Sequence, residues 1–383
     1  MKCKLSDICS FRKGKVEVEN LNAKNYISTE NMLPNKCGIT EASSLPTVSL
    51  TQEYKNGDVL VSNIRPYFKK IWQAQYDGGC SNDVLVFVPK PNMDKDFLYY
   101  VLADDDFFTY SMATSKGTKM PRGDKTSIMQ YEVPLIDLQV QKKIASVLKA
   151  LDEKIELNNE INNNLEQQAE AIFQAILSNA VTTVNLGEIA DVKGGKRLPK
   201  GVNLIDIPNT HPYIRVRDLN NVLFASLTPD YAYVDEETQK SISRYIVSTG
   251  DVLISIVGTI GLTAIVDSTL DKANLTENCV KVTNLKHITP EYLLLYLRSQ
   301  LGREAITKGT VGAVQQKLPI KNIQAIPIPL LSEKDKNTLF CTLDSIFAEI
   351  SSNVIQSVKL SSLRDTLLPK LMSGELDVSD IDL

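Results

Sequence analysis

Two long segments of the chain carry apolar residues at alternating spacings of three and four. The seam of the first segment consists of Ile144, Leu148, Leu151, Ile155, Asn158, Asn162, Leu165, Ala169, Ile172 and Ile176. The seam of the second lies 195 residues further on (339 − 144 = 195) and consists of Leu339, Leu343, Ile346, Ile350, Asn353, Ser357, Leu360, Arg364, Leu367 and Leu371. This spacing is typical of a coiled coil, so it predicts two equivalent long helices, with Asp137 and Ser332 as their N-caps.

Such helices need a partner. A helix of about 40 residues spans about 60 Å, which exceeds the diameter of a small domain. The two helices pair either with each other or with another chain. We favour an antiparallel pairing within the chain, because two equivalent seams then satisfy each other. Asn158 and Asn353 lie near the middles of the helices, so the pairing predicts a polar layer that sets the register.

The segments before the helices also repeat. "GDVLVS" at 57–62 returns as "GDVLIS" at 250–255, and "KLSDICSFRKGK" at 4–15 resembles "NLGEIADVKGGK" at 185–196. Later, "SKGT" at 115–118 matches "TKGT" at 307–310, and "VPLI" at 133–136 matches "IPLL" at 328–331. A repeat this long indicates domain duplication and not a solenoid of ~20–50-residue units.

The fold predicted from these patterns is α+β. Each copy reads as short β-branched strands followed by one helix, and in the second copy Thr289 and Pro290 read as N-cap and first helical residue. We expect two α/β domains at 1–136 and 181–331, separated by an antiparallel coiled coil of the helices at 137–180 and 332–383, around a pseudo-twofold axis. The second helix segment includes an acidic tail.

Composition narrows the function classes. The 383 residues include 42 Lys and Arg against 46 Asp and Glu, so no global charge indicates a polyanion partner. Six cysteines and two histidines show no metal-ligand spacing, and no apolar run reaches the ~20 residues of a spanning helix. Phosphate-loop, dinucleotide-binding and methyltransferase motifs are missing, and Ser62 and Ser255 read as structural strand serines. We therefore expect a cytoplasmic protein that holds no metal, and the missing motifs disfavour an enzyme.

The repeated order of these motifs resembles the DNA-specificity subunit of type I restriction-modification systems. The resemblance rests on "GDVL" in each copy, "RPYFKK" and "GTIG" after them, "IPIPLL" before the last helix and "LLPKLMSGEL" at 367–376, and it covers essentially the whole chain. It implies that each domain is a target-recognition domain reading half of a bipartite double-stranded DNA site. The helices would act as spacer and platform.

The resemblance also implies partners. Two methyltransferase (modification) subunits and restriction/translocase subunits are expected, and S-adenosylmethionine and ATP are expected on those partners, with no cofactor bound by this chain. The alternative function is a coiled-coil scaffold that joins two protein-binding domains without recognising DNA.

Basic residues cluster in loops, which can bind phosphate although the whole chain is acidic. In the first copy the candidate DNA contacts are Arg65, Tyr67, Lys69, Lys116, Thr118, Lys119, Arg122 and Lys125. In the second copy they are Lys196, Arg197, Lys200, Arg215, Arg217, Thr259, Lys308, Thr310, Gln315, Gln316 and Lys317.

Each candidate has a structural alternative. Pro66 predicts an extended Arg65 whose guanidinium meets a guanine edge or a phosphate, and the alternative is a surface pair with a carboxylate. The two Gly-Thr pairs read as one repeated polar turn, for which a solvated loop is the alternative. Arg215 and Arg217 alternate as on one strand face, where a cross-strand ion pair fits equally well. At 257–261, glycines could let the backbone approach the duplex.

Overall fold

A computed structural model describes residues 2–228, 231–312 and 315–378. The chain forms two compact units, one comprising Met1–Glu156 with Lys359–Leu383 and the other Leu157–Val358. Each unit contains one of the repeated domains together with a part of each long helix. We describe the units separately.

The first unit contains ten short strands and four short helices. The strands are β1 (Lys2–Lys4), β2 (Cys9–Phe11), β3 (Lys15–Glu17), β4 (Tyr26–Ile27), β5 (Leu50–Tyr54), β6 (Val59–Ser62), β7 (Ile71–Gln73), β8 (Gly78–Cys80), β9 (Val84–Pro89) and β10 (Glu132–Pro134). The helices are α1 (Leu5–Ile8), α2 (Lys95–Ala103), α3 (Asp105–Ala113) and α4 (Lys125–Ile128), and the long helix α5 (Leu138–Leu177) begins in this unit.

Two four-stranded sheets organise the first domain, in the orders β2-β9-β6-β7 and β3-β5-β8-β4. Strand β6 is buried along its whole length and pairs antiparallel with both neighbours. The largest core of the unit packs β6 and β9 against α2, α3 and the start of α5, and residues 367–378 at the far end of the chain complete it.

The second unit repeats this plan. Its strands are β11 (Thr182–Asn185), β12 (Asp191–Gly194), β13 (Tyr213–Ile214), β14 (Phe224–Ala225), β15 (Val252–Ser255), β16 (Thr263–Val266), β17 (Asn274–Leu275), β18 (Cys279–Thr283) and β19 (Pro327–Leu330). Its helices are α6 (Leu186–Ile189), α7 (Glu236–Ile242), α8 (Pro290–Arg298), α9 (Gln300–Gly309), α10 (Ile320–Gln324) and the start of α11 (Glu333–Ser373). The main sheet has the order β12-β18-β15-β16-β14.

Strands β6 and β15 are the two "GDVL" strands, and they occupy the same place in the two domains. Each is fully buried and lies between two antiparallel neighbours in its sheet. The hydroxyl of Ser62 donates to the carbonyl of Ile64 (3.1 Å) and that of Ser255 to the carbonyl of Thr259 (2.6 Å). The duplication and the structural role of these serines are thus confirmed.

The single helix predicted at the end of each domain is wrong, because two helices stand there. In the first domain Asp104 is extended (φ −62°, ψ 139°) and its side chain caps α3, and in the second Ser299 is extended (φ −66°, ψ 166°) and caps α9. The breaks are 195 residues apart (299 − 104 = 195). In the second domain a Cβ on Gly302 would lie 2.0 Å from the carbonyl oxygen of Tyr296, so the close approach of α9 to α8 requires glycine. The N-cap Thr289 and first-turn Pro290 of α8 are confirmed.

The long helices α5 and α11 begin at the predicted N-caps. Asp137 accepts a hydrogen bond from the backbone N–H of Gln139 (2.9 Å), and Ser332 accepts one from that of Asp335 (3.3 Å). Their pairing is antiparallel within the second unit, where Asn158 donates to Asn353 while Phe173 and Phe340 both contact Tyr292, at centroid distances of 5.1 and 5.9 Å. The pairing within one chain and the meeting of the two asparagines are confirmed.

No helix in the described ranges is both long enough and apolar enough to cross a membrane.

Candidate nucleic-acid interface

Two basic loops of the first domain pair with each other at the end of β6. Residues 65–69, called turn 65–69 below, follow β6, and residues 115–125, called loop 115–125, follow α3. The backbone N–H of Arg65 donates to Pro121 (2.8 Å) and that of Gly123 to Asn63 (3.1 Å). Because these bonds join segments that the sequence separates by about fifty residues, the sequence alone did not predict their contact.

The second domain pairs its loops in the same way at the end of β15. Val257 and Val311 each form a bridge with Lys317, as Ile64 and Lys116 do with Arg122 in the first domain. The backbone N–H of Leu318 also donates to the carbonyl of Ile256 (3.0 Å). In each domain, therefore, the turn after the "GDVL" strand pairs with the loop that follows α3 or α9.

Arg65 is not extended as predicted from Pro66. Its backbone is left-handed (φ 51°), and it precedes a 3-10 turn at Pro66–Phe68 that ends at the equally left-handed Lys69 (φ 49°). The chain reverses between the antiparallel β6 and β7 within a few residues, and left-handed residues at both ends of the turn supply that reversal. The corresponding turn of the second domain has Gly258 (φ 81°) and Gly261 (φ 85°), so the backbone requirement is repeated although the residues differ.

The carboxylate alternative does not hold for Arg65. Within the described part of the chain, its Nε is buried without a hydrogen-bond partner and no ion pair involves its guanidinium. Phe68 and Met120 are exposed on the same two loops, and the buried Asn63 joins the loops through its carbonyl. None of the three was predicted from the sequence, although Phe68 stands next to Tyr67 in "RPYFKK".

Three other basic candidates of the first domain are held by carboxylates. Lys69 pairs with Asp105 (2.8 Å), Arg122 with Asp83 (3.1 Å) and Lys116 with Asp124. Hydrogen bonds from Lys116 and from the backbone and side chain of Ser127 lower the pKa of Asp124 to about 2. The pairs orient the basic groups in the absence of DNA.

The remaining first-domain candidates are exposed. Thr118, Lys119 and Lys125 lie on the surface of loop 115–125 and at the start of α4. The Lys125 ammonium lies 5.9 Å from the centroid of the Phe11 ring. These side chains are free to reach a phosphate without breaking an ion pair that orders the loop.

The strand predicted for Arg215 and Arg217 is wrong. Strand β13 ends at Ile214, and Val216–Leu219 forms a 3-10 turn. The Nε and Nη2 of Arg215 donate to the carboxylate of Asp218 (3.0 and 3.1 Å), so the ion pair lies within the turn and not across strands. Arg217 is exposed, and its Nε lies 3.5 Å from the same carboxylate.

The equivalence of the two Gly-Thr pairs is also wrong. Gly309 ends α9, and the Thr310 hydroxyl donates to the carbonyl of Ile306 (2.9 Å), as Thr114 does to Tyr110 at the end of α3 (2.9 Å). The residue that matches Gly117 (φ 91°) in the loop pairing is Gly312 (φ 105°). The correct equivalence follows the offset of 195 residues that relates the long helices (312 − 117 = 195). The offset between the two Lys-Gly-Thr motifs gives the wrong one.

The other second-domain candidates divide into anchored and exposed groups. Arg197 pairs with Glu277 (2.8 Å), and the Lys196 ammonium lies 5.5 Å from the Tyr245 ring. The exposed candidates are Lys200, Thr259, Lys308, Gln315, Gln316 and Lys317. Ile256 bonds Asn278 through its backbone N–H (2.8 Å), so Arg197, held by the adjacent Glu277, flanks the turn that follows β15.

The candidate side chains on the loops of both domains are hydrogen-bond donors and not catalytic groups. The forked guanidinium and the ammonium and amide groups suit phosphate oxygens and base edges. No group of three or more His, Cys, Asp or Glu side chains in the described ranges could hold a metal ion.

Two copies of one domain, each with a polar loop pair at the end of the same strand, place the chain in the class of proteins built from duplicated domains with equivalent surface loops. Residues 1–167 and 179–360 match the family described as Type I restriction modification DNA specificity domain. The chain belongs to this family, which confirms the resemblance inferred from the repeated motifs. Membership assigns a DNA-specificity role that is not catalytic, and it gives no support to a scaffold without DNA recognition.

Relatives agree with this assignment. The HindI specificity subunit of Haemophilus influenzae is 23% identical over an alignment of 440 residues, covering 92% of this chain and 94% of the relative. The MjaIX specificity subunit of Methanocaldococcus jannaschii is 22% identical, covering 77% and 72%. The crystal structure of the type I restriction-modification S subunit from M. genitalium superposes with a TM-score of 0.58 at 16% identity, covering 97% of this chain and 96% of that one, which supports the fold.

Proposed function

We propose that this chain reads a bipartite double-stranded DNA site, with residues 1–136 reading one half and residues 181–331 the other. The observation that carries the proposal is the repeated loop pair at the ends of β6 and β15. The scaffold strands agree, while the turns that follow them differ in every exposed side chain. Two domains of one fold with different turns are suited to two different half-sites.

The contacts divide by chemistry in the first domain. Arg65 and Tyr67 are the proposed base contacts, and Lys119, Lys125 and Thr118 the proposed phosphate contacts. The paired residues Lys69, Lys116 and Arg122 order the loops, and Lys116 and Arg122 can exchange their carboxylates for phosphate when DNA binds.

The second domain relies on a different set of groups. Glycines at 258 and 261 let backbone groups approach the duplex, and the side chains of Thr259, Gln315 and Gln316 are the proposed base contacts. The proposed phosphate contacts are Lys196, Arg197, Lys200, Arg215, Arg217, Lys308, Thr310 and Lys317.

The chain's partners follow from its role in a restriction-modification complex. We propose two methyltransferase subunits, with restriction/translocase subunits joining them, and α5 and α11 as the spacer. S-adenosylmethionine and ATP would bind to those partners, since this chain has no phosphate-binding loop or methyltransferase motif of its own.

Methylation mapping tests the proposal. Cells that express this chain with its methyltransferase should carry methylated adenines in one split motif, and cells that express the methyltransferase without the chain should not. The absence of any motif, or a continuous motif in place of a split one, would contradict bipartite recognition.

A further inference from the structure

Tyr67 and Phe68 are exposed side by side on turn 65–69. Of their surfaces, 49% and 36% are open to solvent, and their ring centroids are 4.7 Å apart. Met120, on the paired loop 115–125, is 48% exposed. Apolar side chains grouped on two hydrogen-bonded loops form a contact surface and are not isolated exposed residues.

The turn that carries the two rings is braced. The backbone N–H groups of Asn35 and Lys36 donate to the carbonyls of Phe68 (2.8 Å) and Lys69 (2.9 Å). Asp105 joins the ammonium groups of Lys36 (3.0 Å) and Lys69 (2.8 Å). Burial raises the pKa of Asp105, but the hydrogen bonds from both lysines outweigh it and hold that pKa below its ordinary value.

The bracing maintains an unfavourable backbone. Arg65 and Lys69 are left-handed where the second domain has Gly258 and Gly261, so the first domain keeps side chains at positions that favour glycine. Strain of this kind persists where the surroundings over-determine it, often at ligand contacts. Lys69 is used in the brace, and the Nε of Arg65 is buried in the same turn without a hydrogen-bond partner.

The charges around the rings identify the kind of ligand. Turn 65–69 and loop 115–125, which carry these apolar side chains, also carry Arg65, Lys119 and Arg122, and this positive charge favours a polyanion. A polyanion that also offers flat apolar faces is a nucleic acid, whose bases stack on aromatic rings. A protein partner would need apolar surface together with acidic groups to fit equally well.

We propose that Tyr67, supported by Phe68, acts as a wedge that stacks on a base at a partly opened step of the first half-site. The inference rests on the proposed DNA-reading function and specifies how one half-site is contacted. Residues 257–261 carry no aromatic side chain. The second half-site is therefore read without such a wedge.

Fluorescence of 2-aminopurine tests the wedge. Once the split motif is known, the full chain with its methyltransferase subunits is bound to duplexes that carry the probe at successive positions of either half-site. The methylated adenines are left out of the probe positions, because methyltransferases extrude the base that they modify. At the other positions we expect enhanced fluorescence at one step of the first half-site and none in the second. Tyr67→Ala should abolish the enhancement and weaken binding about 5-fold to 150-fold, while Tyr67→Phe should keep both.

Leu135→Ala is the matched control, since Leu135 is 58% exposed and lies outside both loops. The wedge is refuted if the wild type enhances no position, if Tyr67→Ala behaves as the wild type, or if Tyr67→Phe loses as much as Tyr67→Ala, which would assign the contact to the hydroxyl. Normal DNA binding by Tyr67→Ala with lost co-purification of the methyltransferase would assign the rings to a protein interface. A wild type without any split motif would refute the proposed function itself.

Discussion

Arg298, the last residue of α8, joins three parts of the second domain. Its guanidinium bonds Glu166 on α5 (3.2 Å), both the hydroxyl (3.2 Å) and the carbonyl (2.7 Å) of Thr263 on β16, and the carbonyl of Val222. Burial lowers the pKa of Arg298 and raises that of Glu166, so each charge loses hydration and depends on the other. Removing the Arg298 guanidinium leaves the Glu166 carboxylate and the carbonyls of Val222 and Thr263 without these hydrogen bonds.

We therefore expect Arg298→Met to lower the free energy of unfolding of the second unit by about 1–3 kcal/mol, because the pair with Glu166 is only partly buried and the main cost is the loss of charged hydrogen bonds to two carbonyls. Urea unfolding monitored by circular dichroism gives the value. Arg303→Met, an exposed arginine on the adjacent α9, serves as control and should change stability by less than about 0.5 kcal/mol. An equally small effect at Arg298 would show that the network contributes nothing.

At the residue scale the sequence predicted which positions carry polar groups, but not the backbone that presents them. Pro66 restricts Arg65 to non-helical conformations, and both the extended and the left-handed region remain available to it. The choice depends on the backbone bond to Pro121, a residue distant in sequence. The same limit applies to Arg215, whose partner Asp218 stands in "YIRVRDL" but whose turn conformation the alternation did not reveal.

The long helices meet in a polar layer. Asn158 is completely buried, and its Nδ2 lies 2.9 Å from Gln356 and 3.2 Å from Ser357, while its Oδ1 has no hydrogen-bond partner. Asn353 donates to Asn162 (3.0 Å). A buried acceptor without a donor costs about 1–3 kcal/mol, so the layer reduces stability while its directed bonds favour one register.

Replacing Asn158 and Asn353 by Leu should raise the melting temperature and permit slipped or oligomeric forms, because apolar seams accept several alignments. Calorimetry and light scattering after size exclusion measure both effects. Asn163→Leu, on the exposed face of the same helix, should do neither. Unchanged melting together with unchanged mass in the double variant would show that the layer does not set the register.

At the element scale, the periodicity of apolar residues was sufficient to predict the helix seams and the buried strands, since both produce regular sequence patterns. It could not detect the breaks at Asp104 and Ser299, because the apolar spacing continues across them. The loop pairs were not predictable either, since bridges such as that between Val257 and Lys317 leave no periodic signal. The two copies align correctly only with the sequence offset that relates the two long helices.

At the scale of the whole molecule, each unit has its own hydrophobic cores. The clusters around β6 and β9 contain only residues of the first unit, and those around β15 and β18 only residues of the second. Each unit therefore packs its proposed recognition domain around cores of its own.

Exchange of residues 1–136 for the corresponding segment of a relative should alter one half of the methylated motif and leave the other unchanged. Methylation mapping in cells provides the readout, and the reciprocal exchange of residues 181–331 is the matched control that should alter the opposite half. A change in both halves after either exchange would contradict independent reading.

The first unit is built from both ends of the chain. Leu368, Leu371 and Met372 complete the core that Ile144 and Leu148 enter, and 220 residues (368 − 148 = 220) separate the two contributions. At a synthesis rate of about 5–20 residues per second, roughly 10–45 s pass between them on the ribosome. The nascent first domain spends that interval with part of its apolar surface uncovered, whereas the second domain is continuous in sequence and can close as it emerges. A chain that ends soon after residue 358 would consequently keep every residue of the second unit and lose part of the core of the first.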